Sequence, residues 1–178
     1  MGIDPGSRAT GYGVICVERS RLDRLAGGVI RCGDGTLAER LAQIDLVLSE
    51  MIAEIRPDVA ALETVFTARN PRAALLLGQA RGVALAACGR LGLDTAEYAP
   101  AQVKLAVVGH GRADKPQVQR MVQRLLRLAA PPSRDEADAL AVAICHAHTR
   151  TFPRAGRALR TAATPAGQER AESARVSR

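Results

Sequence analysis

Met1-Gly2-Ile3-Asp4-Pro5-Gly6-Ser7-Arg8-Ala9-Thr10-Gly11-Tyr12-Gly13 is the stretch on which the fold turns. A short apolar start ends in a carboxylate, Asp4, and a Pro-Gly turn follows at once. Gly11 and Gly13 then fall inside a second strand, read as Gly11 to Val17. Glycine weakens a strand, so two of them there suggest that something must approach the backbone closely. An aspartate at a strand end, beside a turn stripped of side chains, is suited to holding a metal and a phosphate. A plain hairpin with a solvated Asp at its turn fits the same residues, and the rest of the chain has to decide.

Outward from this hairpin, Arg21 to Arg31 reads as a third strand. Thr36 with Glu39 makes a capping box, and Leu37, Leu41, Ile44, Leu48, Met51 and Ile55 recur at helical spacing. Asp58 to Glu63 is a nearly continuous apolar run, as expected of a strand buried on both faces, and it ends in a second carboxylate, Glu63. Asn70 and Pro71 fit the cap and first position of a helix running to about Arg90. That helix is apolar around much of its circumference and carries Gly78 and Gly82 one turn apart. It is read as covered, either by a second subunit or within its own domain. Leu93 to Glu97 reads as the last strand. Pro100 opens a helix through Val107 that includes Lys104, and Asp114 caps another whose first turn holds Lys115 and which Pro131-Pro132 end. Ser133 with Glu136 predicts a second capping box, starting a final helix to about His148. Asp135 and Asp138 lie in its first turns on one face, where the helix dipole favours ionised carboxylates.

The 178 residues suit one domain, residues 1–150, followed by a tail at 151–178. Apolar residues make up 47% of the chain but aromatics only 2%, so the core must be built from Leu, Val, Ile and Ala. The net charge is +7, and the tail holds six arginines against two glutamates, with little periodicity. It is expected to be disordered, and a basic tail on a mildly basic body points to a polyanion, most simply nucleic acid. Only two of the 25 basic residues are lysines, Lys104 and Lys115, which singles them out. Cys16, Cys32, Cys88 and Cys145 form no C-x-x-C pair and read as small hydrophobes in a reducing compartment. Cys145-His146-Ala147-His148 is not read as a zinc site, because residues two apart on a helix face different ways. With no signal peptide and no apolar run long enough to span a membrane, the protein is expected to be cytoplasmic, with no membrane partner. Only three residues precede Asp4, which leaves open a natural start upstream of Met1.

Four carboxylates thus stand at element ends: Asp4, Glu63, Asp135 and Asp138. Hard divalent cations want oxygen ligands and share them with substrate phosphates. Two such ions can act on opposite sides of a phosphodiester. No Ser or Cys nucleophile paired with a base competes with this reading.

Gly2 to Ser7 with Thr10 to Gly13 resembles the opening motif of the RuvC family of Holliday-junction resolvases. Leu62 to Phe66 followed by Ala68-Arg69-Asn70 resembles that family's second motif. Leu77 to Ala84 is similar to its interface helix, Gln102 to Gly109 with Lys115 and Gln117 to Gln119 to its basic segment, and Asp135 to Ala141 to its final acidic motif. The resemblance covers Gly2 to about His148. It implies an α/β, RNase H-like fold, three layers with a mixed five-stranded sheet, acting as a homodimer that nicks opposed strands of four-way junction DNA. It also implies two Mg2+ or Mn2+ ions per active site, held by Asp4, Glu63, Asp135 and Asp138, with Lys104 and Lys115 catalytic and in contact with phosphate. Phe66 would stack on unpaired bases, Arg69 would contact DNA, and a branch-migration complex of the RuvA and RuvB type would be a partner.

Three other readings compete. A kinase-type ATPase shares the opening motif but needs a second lobe for which 178 residues leave no room. A non-catalytic, structure-specific DNA-binding module would be expected to lose carboxylates that are all present here. A generic RNase H-like nuclease would account less well for the Phe66 loop and the two lysines.

Overall fold

The computed structural model describes residues 1–64 and 70–150. Five strands form one mixed sheet, ordered β3-β2-β1-β4-β5. Strand β1 (Gly2–Asp4) lies at its centre, antiparallel to β2 (Ala9–Glu18) and parallel to β4 (Ala60–Glu63). Strand β3 (Arg21–Arg31) extends the hairpin to one edge, and β5 (Thr95–Tyr98) runs parallel to β4 at the other. The three-residue β1 is therefore the strand that joins the antiparallel hairpin to the parallel half.

Side chains alternate across a strand, and this alternation sorts the molecule into layers. Ile3, Val14, Ile30, Ala60 and Leu62 face α1 (Leu37–Ile55) and α2 (Pro71–Arg90), packing on Ile44, Leu48, Ile52, Ala84 and Cys88. Leu22 and Ala61 face the other side, under α3 (Pro100–Val108), α4 (Lys115–Leu125) and α5 (Arg134–Thr149). The result is a three-layer α/β/α sandwich with the mixed five-stranded sheet in the middle. Its core is aliphatic, as the composition requires: Ile3, Ile44, Leu48, Leu62, Leu140 and Ile144 are fully buried. Truncating any of them to Ala would cost about 2–5 kcal/mol.

Several expected boundaries shift, each for a local reason. Strand β4 starts at Ala60 rather than Asp58, and β5 at Thr95 rather than Leu93. The Leu93 amide is taken by Cys88 O at 2.9 Å in the turn that closes α2, with Gly92 in the left-handed region at φ 66°. Helix α4 stops at Leu125, well before Pro131, because Arg127 adopts φ 53° and the Leu128 amide reaches back to Gln123 O at 2.9 Å. The Thr36–Glu39 capping box forms as read, and Asp114 is joined by Gln117 in another. The Ser133–Glu136 box does not form: Ser133 makes no capping hydrogen bond, and the Glu136 carboxylate is taken instead by Arg24 of β3.

Helix α2 is only half covered. Ala80, Ala84, Ala87 and Cys88 are buried, but a Cβ built on Gly78 or Gly82 meets nothing within 4 Å, and Leu75 is 69% exposed. Among the described residues, nothing packs against these two glycines.

Helix α5 lies across β1 and β2, and three glycines explain how closely. A Cβ on Gly2 would collide with Ala139 O, one on Gly11 with Asp135 O, and one on Gly13 with the Leu140 side chain. What approaches the glycine-bearing strands is thus α5. The helix backbone rests directly on the sheet.

Candidate active site

Asp4 and Glu63 end neighbouring parallel strands. The register pairs Gly2 with Ala61 and Ile3 with Leu62, so one step further sets Asp4 beside Glu63. Alternation places both on the face covered by α5, because Ile3 and Leu62 point the other way. The turn after Asp4 is fixed by the buried Thr10. Its Oγ1 accepts from the Gly6 amide at 3.2 Å and donates to Gly6 O at 2.9 Å.

Asp135 and Asp138 arrive from above on α5. Gly11, which meets the Asp135 backbone, is also the cross-strand partner of Asp4. The close seating of the helix therefore carries its first two turns over the β1 terminus. Helix α4 delivers Lys115 from its capped N-terminus, with Nζ 2.6 Å from Asp138 Oδ2. Asp138 is 18% exposed and Lys115 62%, so the pair sits at the rim with the ammonium outward. Pairs this exposed contribute about 0–1 kcal/mol to stability. Lys104, on α3, lies close enough for its charge to act on Glu63.

The electrostatics show one cluster. Asp4 is pushed up to about 7, first by burial, then by the charges of Asp138 and Glu63, with Asp135 adding to them and Lys115 opposing. Glu63 is raised as well, by burial and then by Asp138, against the pull of Lys115 and Lys104. Lys115 is held above its ordinary value, chiefly by its hydrogen bond to Asp138. Six of the residues singled out from the sequence thus feel one another, and the carboxylates carry more negative charge than the lysines offset. The cluster is open: among the described residues, no three Asp, Glu, His or Cys side chains are drawn together closely enough to hold a metal ion. Phe66 and Arg69 lie outside the described residues.

Sequence reasoning gave no role to His146 and missed its partner. Tyr98 ends β5 in register with Glu63, and its carbonyl accepts from the Thr64 amide at 2.8 Å. Its hydroxyl meets the buried His146 Nδ1 at 2.7 Å, tying the β5 terminus to α5. Nothing in the local pattern could have paired residues on different elements. His148 Nδ1 lies 3.0 Å from Ala106 O, and Cys145 packs in the core.

Residues 1–146 match the family model described as crossover junction endodeoxyribonuclease RuvC. A protein of that name from Tolumonas auensis is 54% identical over 149 residues, covering 84% of this chain and 86% of its own. Another, from Halorhodospira halophila, is 56% identical over 155 residues, covering 86% and 92%. The solved structure of Thermus thermophilus RuvC in complex with a Holliday junction substrate superposes with a TM-score of 0.79 at 36% identity, over 83% of this chain and 92% of that one. The yeast mitochondrial Holliday junction resolvase Ydc2 shares the fold at a TM-score of 0.56 and 13% identity, over 81% and 76%. Among the described residues, no helix is long and apolar enough to cross a membrane.

Proposed function

The chain belongs to the RuvC family of crossover junction endodeoxyribonucleases, and on that premise we propose that it resolves Holliday junctions by paired symmetric nicks, using divalent metal ions held by Asp4, Glu63, Asp135 and Asp138. The observation that carries this reading is the convergence of four carboxylates from three elements around the partly buried Asp4, with both lysines of the chain beside them. The donor set is all oxygen, which fits Mg2+ or Mn2+ and disfavours softer metals. Asp4 is raised to about 7 first by burial and then by the charges of Asp138 and Glu63, which Lys115 only partly offsets, and a bound cation would favour its ionised form. Two ions bound there would supply Lewis acidity toward the scissile phosphate and ease deprotonation of an attacking water.

The remaining roles fall to the chain itself. Asp4 would help hold the metal ions together with Glu63 on its own side of the sheet and Asp138 above. Lys115, tethered to Asp138 but mostly exposed, presents its ammonium where a phosphate would approach. Lys104 does the same beside Glu63. Phe66 and Arg69 follow Glu63 closely in sequence and would meet the DNA at the junction. Paired nicking needs two sites, and the open face of α2 carrying Leu75, Gly78 and Gly82 supports a homodimer. A branch-migration complex and a cytoplasmic location belong to the same reading.

The test is cleavage of a synthetic four-way junction beside a linear duplex of matching sequence, with magnesium, manganese and chelator arms. Symmetric nicks in the junction alone, lost in chelator, are expected. Binding without cutting in every metal would favour a DNA-binding module instead.

A further inference from the structure

We propose that Arg24 and Glu136 form a positioning brace that sets the first turns of α5, and through them Asp135 and Asp138, on the sheet. Observations on β3 and on α5 converge on it. Arg24 donates to Glu136 Oε1 from Nε at 2.9 Å and lies 2.6 Å from the same oxygen through its terminal nitrogen, while that nitrogen also donates to Gly27 O at 2.8 Å. Glu136 is only 12% exposed and Arg24 33%, so the pair is largely removed from water.

The strand is shaped to allow this. The β2–β3 register pairs Val14 with Ala26 and Ile15 with Arg24, skipping Leu25 as a β-bulge. In a regular strand, Arg24 and Gly27, three residues apart, would face opposite sides. The extra residue re-aims Arg24 onto the α5 side. Gly27 leaves the room: a Cβ there would lie 2.6 Å from Glu136 Oε1 and 3.1 Å from Arg24 Nε. Leu25, displaced by the bulge, is left exposed.

The helix needs this hold. Ser133 supplies no capping hydrogen bond, so Glu136 is free of the helix end and is engaged by β3 instead. Among the described residues, the other polar ties at this end of α5 both come from α4: Gln119 Nε2 donates to Pro132 O at 2.6 Å, and Lys115 Nζ to Asp138 Oδ2 at 2.6 Å, and the sheet itself supplies only Arg24. Glu136 lies between Asp135 and Asp138, so a rotation or lift of this turn displaces both carboxylates over Asp4. Neither Arg24 nor Glu136 touches the reacting atoms. Their effect passes through the helix.

The inference rests on Asp135 and Asp138 being catalytic, and its test keeps the two claims apart. Full-length Arg24→Gln, Glu136→Gln and the double variant are compared by amide exchange over residues 134–140, by cleavage rate at saturating four-way junction, and by junction binding in chelator. Each single change is expected to accelerate exchange in 134–140 selectively and to lower the cleavage rate about 10- to 100-fold, as loss of an outer support does. Binding should stay within about twofold, and the double variant should be no worse than either single, since one interaction is being removed. Unchanged exchange and cleavage in either single variant would overturn the brace, as would acceleration spread evenly over the whole chain. Should the glutamine variants not fold, Glu136→Asp keeps the charge but shortens the reach, and a wild-type rate in it would overturn the proposal equally. If the unaltered protein cuts no junction, the functional reading fails, while the exchange data still decide the brace.

Discussion

Asp4 is a carboxylate placed where ionisation is costly: burial and three neighbouring acids hold it at about 7. Function of this kind is purchased with stability. Asp4→Asn removes the charge while keeping the shape, so it is expected to end cleavage and leave junction binding largely intact. In chelator the same variant should melt higher than the unaltered chain, with roughly 2–4 °C for each kcal/mol relieved. Equal loss of binding, or a lower melting temperature, would make Asp4 a structural residue. His146 provides the pH dependence. Burial, then the charge of Arg150, lowers its pKa from 6.5, and its buried Nε2 has no hydrogen-bond partner among the described residues. An imidazole harder to protonate in the fold than in the unfolded chain leaves stability whole above about 6.5 and erodes it as pH falls below. Melting followed from pH 8 to 5 should therefore show a decline below 6.5 that is shallower in His146→Gln. Parallel curves would remove His146 as the cause.

The elements add what single residues cannot show. Gly11→Ala would force the α5 N-terminus off the strand, because its Cβ would collide with Asp135 O. Overpacking of this kind costs about 1–3 kcal/mol, and displacement of Asp135 should cut the cleavage rate by at least tenfold. Gly78→Ala is the contrasting case, since no described residue lies within 4 Å of the added methyl. In an isolated protomer it should stabilise α2 by about 1 kcal/mol. If a second copy packs there, sedimentation should show a weaker dimer even as the protomer gains stability. These elements also show what was legible in advance. The hairpin, the capped helices and the four carboxylates at element ends could be read because each depends on spacing within a few residues. The two glycines of β2 announced a close approach but not its agent, since the helix that fills the space lies more than 120 residues on. Glu136 reads as a capping residue in the sequence because its competitor, Arg24, is 112 residues away and aimed by a bulge that no local pattern encodes.

At the scale of the whole molecule, charge is the long-range signal. Deleting residues 151–178 removes six arginines against two glutamates, and should weaken junction binding mainly at low salt. The slope of log affinity against log salt should become shallower by roughly 0.9 for each phosphate that the tail no longer neutralises, whereas a weakening independent of salt would mean the tail acts otherwise. The topology carries one more consequence. The central strand β1 comes from the start of the domain, β4 from its middle and α5 from its end, yet the carboxylates of all three make one site. A nascent chain emerging from the ribosome therefore has its first carboxylate long before its last two, and no arrangement of the first 130 residues assembles the set. On the proposed assignment of these carboxylates, a product terminated before Asp135 is expected to cut no junction, so that cleavage capacity arrives only with the last helix of the domain.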